Sequence, residues 1–388
     1  MSGSATAFSS TSAYRAERRV RASPDPAQGP SGPPLARARP ARHKPTMEFE
    51  ARGVPVHVRA HEVTLREEAD GRVGFAGSLL DLRKRGFVPV GGDLQGSGIV
   101  HQMQVHGAID PGTGTIETIA ARMPNVAFEP GETTRGESCR DLAGNVAAIA
   151  GTPLEGAFAK RVGQEIGGPR GCSHVLTLVH HLGPTAAWAL REDARIQGGR
   201  PRRRPGERLF RRDVVIDGWA TASGDLLLAL QLGDLHFHPA PVDAPAVDRF
   251  ARQLELRVEA TLSMTDMRLG SVRIAERLRG PAEIDSATWR PRPDRAEPLV
   301  GLSLRAGVTA ELLRLLADPG DDRPLLDALL MLAPTTVQCF ASFVDTWTQV
   351  PWSKGGGPET GVLPDSCWMW RRGGALQQRR DAGTDVRR

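Results

Sequence analysis

Hydrophobic and polar residues alternate along residues 54–123, and Gly, Asp and Pro separate the alternating runs. This period of two predicts an antiparallel meander with one buried face. Residues 110–114 predict a hairpin turn, because Pro presets φ and Gly permits positive φ. After Pro130 the apolar residues recur at helical spacing, and a glycine-rich break precedes a long helix predicted at about 172–190.

The second half of the chain repeats this order of elements. Residues 61–90 and 212–241 both contain an alternating strand, a Gly-centred turn and a second strand that ends on Phe, with Pro two positions later. The strand pair that begins at His101 recurs from Leu254, and the helical stretches that follow also correspond. The repeat therefore predicts an α+β protein of two units, each an antiparallel sheet followed by helices packed on one face, arranged as a pseudo-dimer.

Composition sets the boundaries of these units. Large apolar residues are almost absent before Met47, which predicts disorder there. Met47 directly precedes the first patterned strand, so whether the leader is translated is left open. Dense tryptophans near the end of the chain predict a segment that docks on one of the units. The predicted segments are a disordered leader at 1–46, a first unit with the candidate site at 50–192, a basic linker at 193–211, a second, degenerate unit at 212–346, and a Trp-containing segment with a basic tail at 347–388.

The net positive charge of the chain comes from three segments. The chain has a net charge of +5, but residues 1–46, 195–212 and 371–388 carry +6, +7 and +4, which leaves about −12 for the rest. Binding to single-stranded nucleic acid uses aromatic side chains among the positive charges. These segments contain almost none, which argues against a nucleic-acid partner.

Targeting signals and cysteine usage point to the cytoplasm. No run approaches the ~20 apolar residues of a membrane span, and the start of the chain lacks the apolar run of a secretory signal. Four widely spaced cysteines argue against a disulfide scaffold. The sequence therefore predicts a cytoplasmic protein without a membrane partner, and a protein partner is left open.

The segment 167–174 is the best candidate for chemistry. Its glycine-rich turn feeds a helix and so places backbone N–H groups at Cys172, which favours a thiolate. Cys172 and His174 are spaced to ligate one metal ion, and Cys139 follows the strands as a third ligand. With His101 as the fourth, the predicted metal site is Cys139, Cys172, His174 and His101, and the predicted cofactor is zinc or an iron–sulfur cluster.

The alternative interpretation is that these residues are structural and bind no metal ion. Cys172, Val175 and Val179 follow the spacing of a helix face in the core, where Cys packs as a small apolar residue. No nucleotide-binding loop, serine elbow or zinc-protease motif is present, so no enzyme class is indicated. Four further histidines are predicted to be structural or exposed: His180, His181, His236 and His238.

The motifs of the first unit resemble DUF2889, a bacterial domain-of-unknown-function family. They comprise His101-Gln102-Met103, then Cys139 with Leu-Ala-Gly shortly after it, and finally Gly-Gly-Pro-Arg-Gly-Cys-Ser-His ending at His174. The family pattern has Asp in place of Gln102 and Thr in place of Ser173. The resemblance covers about residues 60–190 closely and 212–345 only by pattern, and the family's C-terminal cysteine corresponds to Cys367. It implies no particular activity.

The order of elements is similar to that of the NifU/IscU-like iron–sulfur scaffold fold. In that fold a three-stranded sheet precedes helices, with a Cys after the strands and a Cys/His pair at a later helix start. Cys139, Cys172 and His174 occupy the corresponding places, but the additional scaffold cysteine has no match, which leaves a mononuclear site as the alternative to a cluster. The resemblance implies a metal- or iron–sulfur-binding accessory protein.

Two other functions stay open at this stage. The first is an enzyme that uses Cys172 as a thiolate nucleophile with His174 or His101 as its base. The second is a structural or interaction module without chemistry.

Overall fold

The computed structural model describes residues 53–90, 93–241, 243–316, 320–343 and 363–382. The predicted leader and residues 347–362 of the predicted C-terminal segment lie outside the described residues. The strands are β1 Val54–Glu67, β2 Val73–Arg83, β3 Val88–Val90, β4 Asp93–Gln95, β5 Gly98–Asp110, β6 Thr115–Asn125, β7 Arg208–Ala220, β8 Leu226–Phe237, β9 Phe250–Leu262, β10 Leu269–Arg279 and β11 Arg290–Pro291. The helices are α1 Phe158–Ile166, α2 Ser173–Gln197, α3 Pro293–Ala296, α4 Val308–Leu315, α5 Arg323–Leu330, α6 Leu332–Ala341 and α7 Ala375–Asp381.

Nine of these strands form one antiparallel sheet. Their order is β11-β10-β9-β8-β7-β1-β2-β5-β6, and β3 pairs only with β4. The fold is therefore a large antiparallel sheet with helices, but the expected separate sheet for each unit is wrong. The reason is the pairing of β1 with β7, the first strands of the two predicted units. Each of them would otherwise expose an edge of unpaired N–H and C=O groups, and their ladder removes both edges.

Two clusters of buried apolar residues lie against the two halves of the sheet. The first joins alternate residues of β1, β2, β5 and β6 to α1 and α2, and includes Leu79, Met103 and Leu182. The second joins β7 to β10 with α4, α5 and α6, and includes Leu230 and Leu326. The period of two brings these strand residues onto one face, so the helices cover the apolar side of the sheet.

The strand registers of the two meanders correspond. Arg59 of β1 lies opposite Asp81 of β2, and Asp81 lies opposite His101 of β5. The same row recurs in the second meander, 153 residues further along, as Arg212, Asp234 and Leu254.

The ladder between β1 and β7 is symmetric in the same sense. Arg59 lies opposite Ile216, and Val63 lies opposite Arg212. Arg212 is the counterpart of Arg59, and Ile216 is the counterpart of Val63, each 153 positions further along. Exchanging counterparts therefore converts one pair into the other. The ladder therefore has a local two-fold arrangement, with the pair of His61 and Val214 at its centre.

Most arginines of the predicted linker form ion pairs. α2 continues to Gln197 and β7 begins at Arg208, so residues 198–207 form the connection. Arg203 is buried and donates two hydrogen bonds of 2.6 and 2.7 Å to the carboxylate of Asp193. Arg200 contacts Glu67 at 2.9 Å. The positive charge of this stretch therefore serves contacts within the protein.

One stretch, Gly320–Ala341, is long and apolar enough to cross a membrane. It contains α5 and α6, and 67% of its most apolar window is buried inside the protein. Such burial is that of helices in a protein core. The cytoplasmic location stays a prediction.

Candidate functional site

Three charged or polar residues form a row across the inner face of the sheet. Arg59, Asp81 and His101 are direct neighbours on β1, β2 and β5, and all three are buried. Side chains opposite each other in an antiparallel sheet have Cβ atoms about 5 Å apart and therefore interact. On a buried face, such a row requires its own partners.

Asp81 accepts hydrogen bonds on both carboxylate oxygens. Arg59 donates from Nε to Oδ1 and from Nη2 to Oδ2, each at 2.8 Å, and His57 Nε2 lies 2.9 Å from Oδ1. Burial alone would raise the pKa of Asp81, but the Arg59 charge and the accepted hydrogen bonds hold it well below its usual range. Asp81 is therefore an ionised carboxylate.

The glycine-rich turn brings His174 over this row. Gly168 has φ of +58°, in the left-handed region that favours glycine, and a Cβ on Gly171 would lie 2.4 Å from the carbonyl oxygen of Ile166. The chain therefore doubles back tightly before Cys172, which is the extended N-cap residue of α2. His174, the second residue of the helix, consequently lies beside Asp81.

The two imidazoles of the site face the same carboxylate oxygen. The rings of His101 and His174 stack with centroids 3.6 Å apart. His101 Nδ1 lies 3.3 Å and His174 Nε2 lies 3.5 Å from Asp81 Oδ2. Burial, together with the neighbouring His101, lowers the pKa of His174 well below 6.5, so its ring is neutral. Among the described residues, Asp81, His101 and His174 are the only group of three metal-binding types whose ligand atoms all lie within 4.8 Å of one another.

One acceptor position of Asp81 remains on the side of the imidazoles. A carboxylate offers about four lone-pair positions. Arg59 uses one on each oxygen and His57 uses the second on Oδ1. On Oδ2 the other contacts come from the imidazoles: His101 Nδ1 lies 3.3 Å away, and its interaction helps to lower the pKa of Asp81. The two imidazole nitrogens thus converge on one carboxylate oxygen.

Cys172 contacts the other nitrogen of His174. Its Sγ lies 3.8 Å from Nδ1. Burial raises the pKa of Cys172 to about 11, although the backbone N–H of Val175 opposes the change. Desolvation therefore affects the pKa of Cys172 more than the N–H groups of the helix N-terminus do. The side chain is a thiol at neutral pH, and not the thiolate that the glycine-rich turn predicted.

Cys139 packs against the first-unit core, as Cys172 does, and also against the small cluster of Met369 and Leu376. Its backbone N–H donates to the carbonyl oxygen of Phe128 at 3.2 Å, and its side chain packs beside Cys367. Cys367 belongs to the segment 363–382, which docks on the first unit: the backbone N–H of Trp368 donates to the carbonyl oxygen of Gly171 at 2.9 Å. The docking expected from the tryptophans is therefore present in this segment. Burial raises the pKa of both thiols.

The four-residue ligand set predicted from the sequence is only partly brought together. His101 and His174 meet, and Cys172 touches His174, while Cys139 does not join their group. The set stays a prediction. Sequence reasoning missed Asp81, although a signal was present: in β2 it shares the alternating parity of Val73, Phe75 and Leu79, where a charge requires a buried partner.

Three of the four histidines expected to be structural or exposed contact another ring or a hydrogen-bonding side chain. His181 faces His61, with ring centroids 5.4 Å apart. His236 packs against Phe210 at a centroid distance of 5.0 Å, and His238 Nδ1 lies 2.9 Å from Gln197 Oε1. None of them belongs to the Asp81 group.

The corresponding row of the second meander is a closed ion-pair network. Arg212 donates from Nε and Nη2 to the two oxygens of Asp234, each at 2.7 Å, which repeats the geometry of Arg59 and Asp81. Its Nη1 donates to Asp327 Oδ2 at 2.5 Å and to Thr185 Oγ1 at 2.7 Å. Leu254 occupies the place of His101 in this row. The residue opposite Asp234 is therefore not a metal-binding type, and among the described residues no group of three ligands forms here.

The stretch that holds Asp81, His101, Cys172 and His174 is recognised by a family model. Residues 57–188 match DUF2889. The family is described as a protein of unknown function, and the match ends before the second meander. Comparison with curated proteins and with solved structures finds no match. The likeness of the DUF2889 segment to the NifU/IscU-like fold therefore rests on element order alone and stays a prediction.

Proposed function

We propose that the protein binds one divalent transition-metal ion, zinc or ferrous iron, through Asp81, His101 and His174. Spacing carries the proposal: His101 Nδ1 and His174 Nε2 lie 3.3 and 3.5 Å from Asp81 Oδ2. Ligands about 2.1 Å from a tetrahedral ion lie about 3.4 Å from one another. Two imidazoles and one carboxylate form the donor set of many catalytic zinc and non-haem iron sites.

The protonation states suit such an ion. Asp81 is ionised, His174 is neutral, and His101 Nδ1 contacts the carboxylate oxygen that would bind the ion. Arg59 balances the charge of Asp81, so the ligands together bring no net negative charge to the ion. We therefore expect weaker binding than at a site of thiolates.

Cys172 has an outer-shell role in this proposal. A proton on His174 Nδ1 can be donated to Cys172 Sγ, 3.8 Å away, and this tautomer leaves the Nε2 lone pair towards Asp81. An iron–sulfur cluster is the alternative that Cys139, Cys172 and Cys367 would serve. Burial raises the pKa of all three thiols, and no three of their ligand atoms lie within 4.8 Å, so the mononuclear site is favoured.

Metal titration tests the proposal. Protein purified without a polyhistidine tag and stripped with a chelator is expected to bind one zinc or, under anaerobic conditions, one ferrous ion per chain. His174→Ala removes the least buried of the three ligands, and we expect its affinity to fall by more than the ~10–100-fold that loss of an outer-shell partner costs. His106→Ala is the matched control, because His106 is an exposed residue of β5.

Elemental analysis of the same samples, together with the titrations, can contradict the proposal. Zinc and iron at background level in the untagged protein, or equal affinities for the wild type and His174→Ala, would contradict the metal site. Circular dichroism establishes that each variant is folded.

The thiolate-enzyme alternative makes a different prediction. Because the pKa of Cys172 is raised to about 11 by burial, we expect iodoacetamide at pH 7 to label it at least roughly 100-fold more slowly than free cysteine. Peptide mass spectrometry locates the label, and labelling in denaturant is the control for access. Rapid labelling of Cys172 in the folded protein would favour the nucleophile instead.

We also propose that the two meanders are copies of one unit and pack as a pseudo-dimer, of which the second copy is degenerate. The common registers and the matching Arg59–Asp81 and Arg212–Asp234 pairs support this relation. In the second copy, Leu254 stands at the position of His101, and Arg212 holds a second carboxylate, Asp327. Its row therefore stabilises the fold, while the first copy carries the metal site.

A further inference from the structure

We infer that Gln338, a residue of the second unit, supplies a fourth ligand to the metal ion of the first. The inference rests on the proposed metal site. Gln338 Nε2 lies 3.2 Å from His174 Nε2, the atom through which His174 would bind the ion. This distance is close to the spacing of about 3.4 Å between neighbouring ligands of a tetrahedral ion.

The helix that carries Gln338 is anchored where the two units meet. Ser342, directly after α6, donates from Oγ to the carbonyl oxygen of Val56 in β1 at 3.0 Å. Cys339 is fully buried and packs so closely on Gly218 of β7 that a Cβ at that position would lie 2.3 Å from its sulfur. The position of Gln338 is therefore determined by both strands of the β1–β7 ladder.

The side-chain amide of Gln338 can donate a hydrogen bond to His174 when no ion is bound and can ligate a metal ion when one is present. Without an ion, Gln338 Nε2 donates to a bare His174 Nε2. A half-turn about the last side-chain bond exchanges the amide nitrogen and oxygen, and this torsion is broad and roughly two-fold. Oε1 then takes the place that Nε2 holds, and a carbonyl oxygen is a suitable ligand for a divalent ion.

This arrangement gives the second unit a part in the site of the first. The exchange is reciprocal, because Thr185 of α2 accepts a hydrogen bond from Arg212 in the centre of the second unit. Each centre thus receives one side chain from the helix of the other unit. A metal ion held by His174 and Gln338 would connect α2 to α6 and stabilise their packing.

Two substitutions test whether Gln338 ligates the ion or only lies near His174. Gln338→Ala is expected to weaken metal binding about 10-fold or more, as loss of a partner near a metal does. Gln338→Glu offers a charged oxygen ligand of the same length and is expected to bind the ion more tightly than the wild type. Val337→Ala is the control, since Val337 is an exposed neighbour on the same helix.

Binding of cobalt(II) to the chelator-stripped full chain is the measurement, read by its visible absorption and by competition with zinc. A weaker, less intense spectrum in Gln338→Ala and a tighter site in Gln338→Glu support the fourth ligand. Equal affinities and spectra in the wild type and both variants, with binding still lost in His174→Ala, overturn it and leave the three-ligand site intact. A wild-type chain that binds no metal overturns both proposals.

Discussion

Replacement of Arg212 by Met is expected to lower the free energy of unfolding by about 3–5 kcal/mol, which is the cost of removing one partner from a buried ion pair. Arg212 is fully buried and donates to Asp234 and Asp327, which are also buried. Met fills much of the volume of the arginine but leaves the buried Asp234 without a counter-charge, while Asp327 retains only its pair with Arg323. Urea denaturation followed by circular dichroism measures the difference.

Two controls distinguish the buried charge from the loss of packing. In the double variant Arg212→Met, Asp234→Leu, the remaining Asp327 keeps its pair with Arg323, so no buried carboxylate lacks a counter-charge, and we expect most of the lost stability to return. Arg314→Met removes an exposed arginine that pairs with Glu311 and should change stability by well under ~1 kcal/mol. A loss of similar size in Arg212→Met and Arg314→Met would show that the network is not stabilising.

Acidification below pH ~6.5 is expected to destabilise the protein through His61 and His181. Both are buried where β1 meets β7 and α2, and none of their ring nitrogens has a hydrogen-bond partner. Burial, with the charges of Arg59 near His61 and of Arg212 and Arg323 near His181, lowers both pKa values well below 6.5.

The sign of the pH effect follows from these lowered values. The unfolded chain takes up protons near pH 6.5, whereas the folded protein does not until a much lower pH. The stabilisation from neutral His61 and His181 is therefore complete above pH ~6.5 and declines as the pH falls, by up to about 1.4 kcal/mol per pH unit for each histidine. Asp81 near His61 opposes this effect and limits its size.

Denaturant titrations between pH 5 and 7.5 measure the slope of unfolding free energy against pH. His57, His174 and His236 also have lowered pKa values and contribute to it. The slope reports the number of protons taken up on unfolding. In the double variant His61→Leu, His181→Leu this number should fall by about two. In His106→Ala, a substitution at an exposed position, it should not change. An unchanged slope in the double variant would mean that the two rings gain partners on protonation.

The elements of the fold were largely predictable from local patterns. Alternation identified the strands of both meanders, and the break at Gly167–Gly168 located the start of α2. That helix nevertheless continues to Gln197, beyond the predicted end near Leu190, because its later turns are still covered by the sheet. The joining of β1 to β7 was not predictable, since alternation shows which face of a strand is buried but not which strand lies at its edge.

The candidate site was predictable only where its residues carry a local signal in the sequence. His101 and His174 were selected by their positions at a strand start and a helix start, and the structure stacks them. Asp81 could have been found from its parity in β2. Gln338 carried no local signal, because it is 164 residues from His174 and belongs to the other unit.

The sequence by itself determined the alternation of strands, the order of strands and helices in each half, and the match of residues 57–188 to DUF2889. These properties depend on neighbours within a few residues. The tertiary structure decided that the strands form one sheet, that Asp81 lies between two imidazoles and an arginine, and that Gln338 reaches across to His174. Contacts of that kind depend on the register of whole strands and on the packing of helices over them, which local periodicity does not encode.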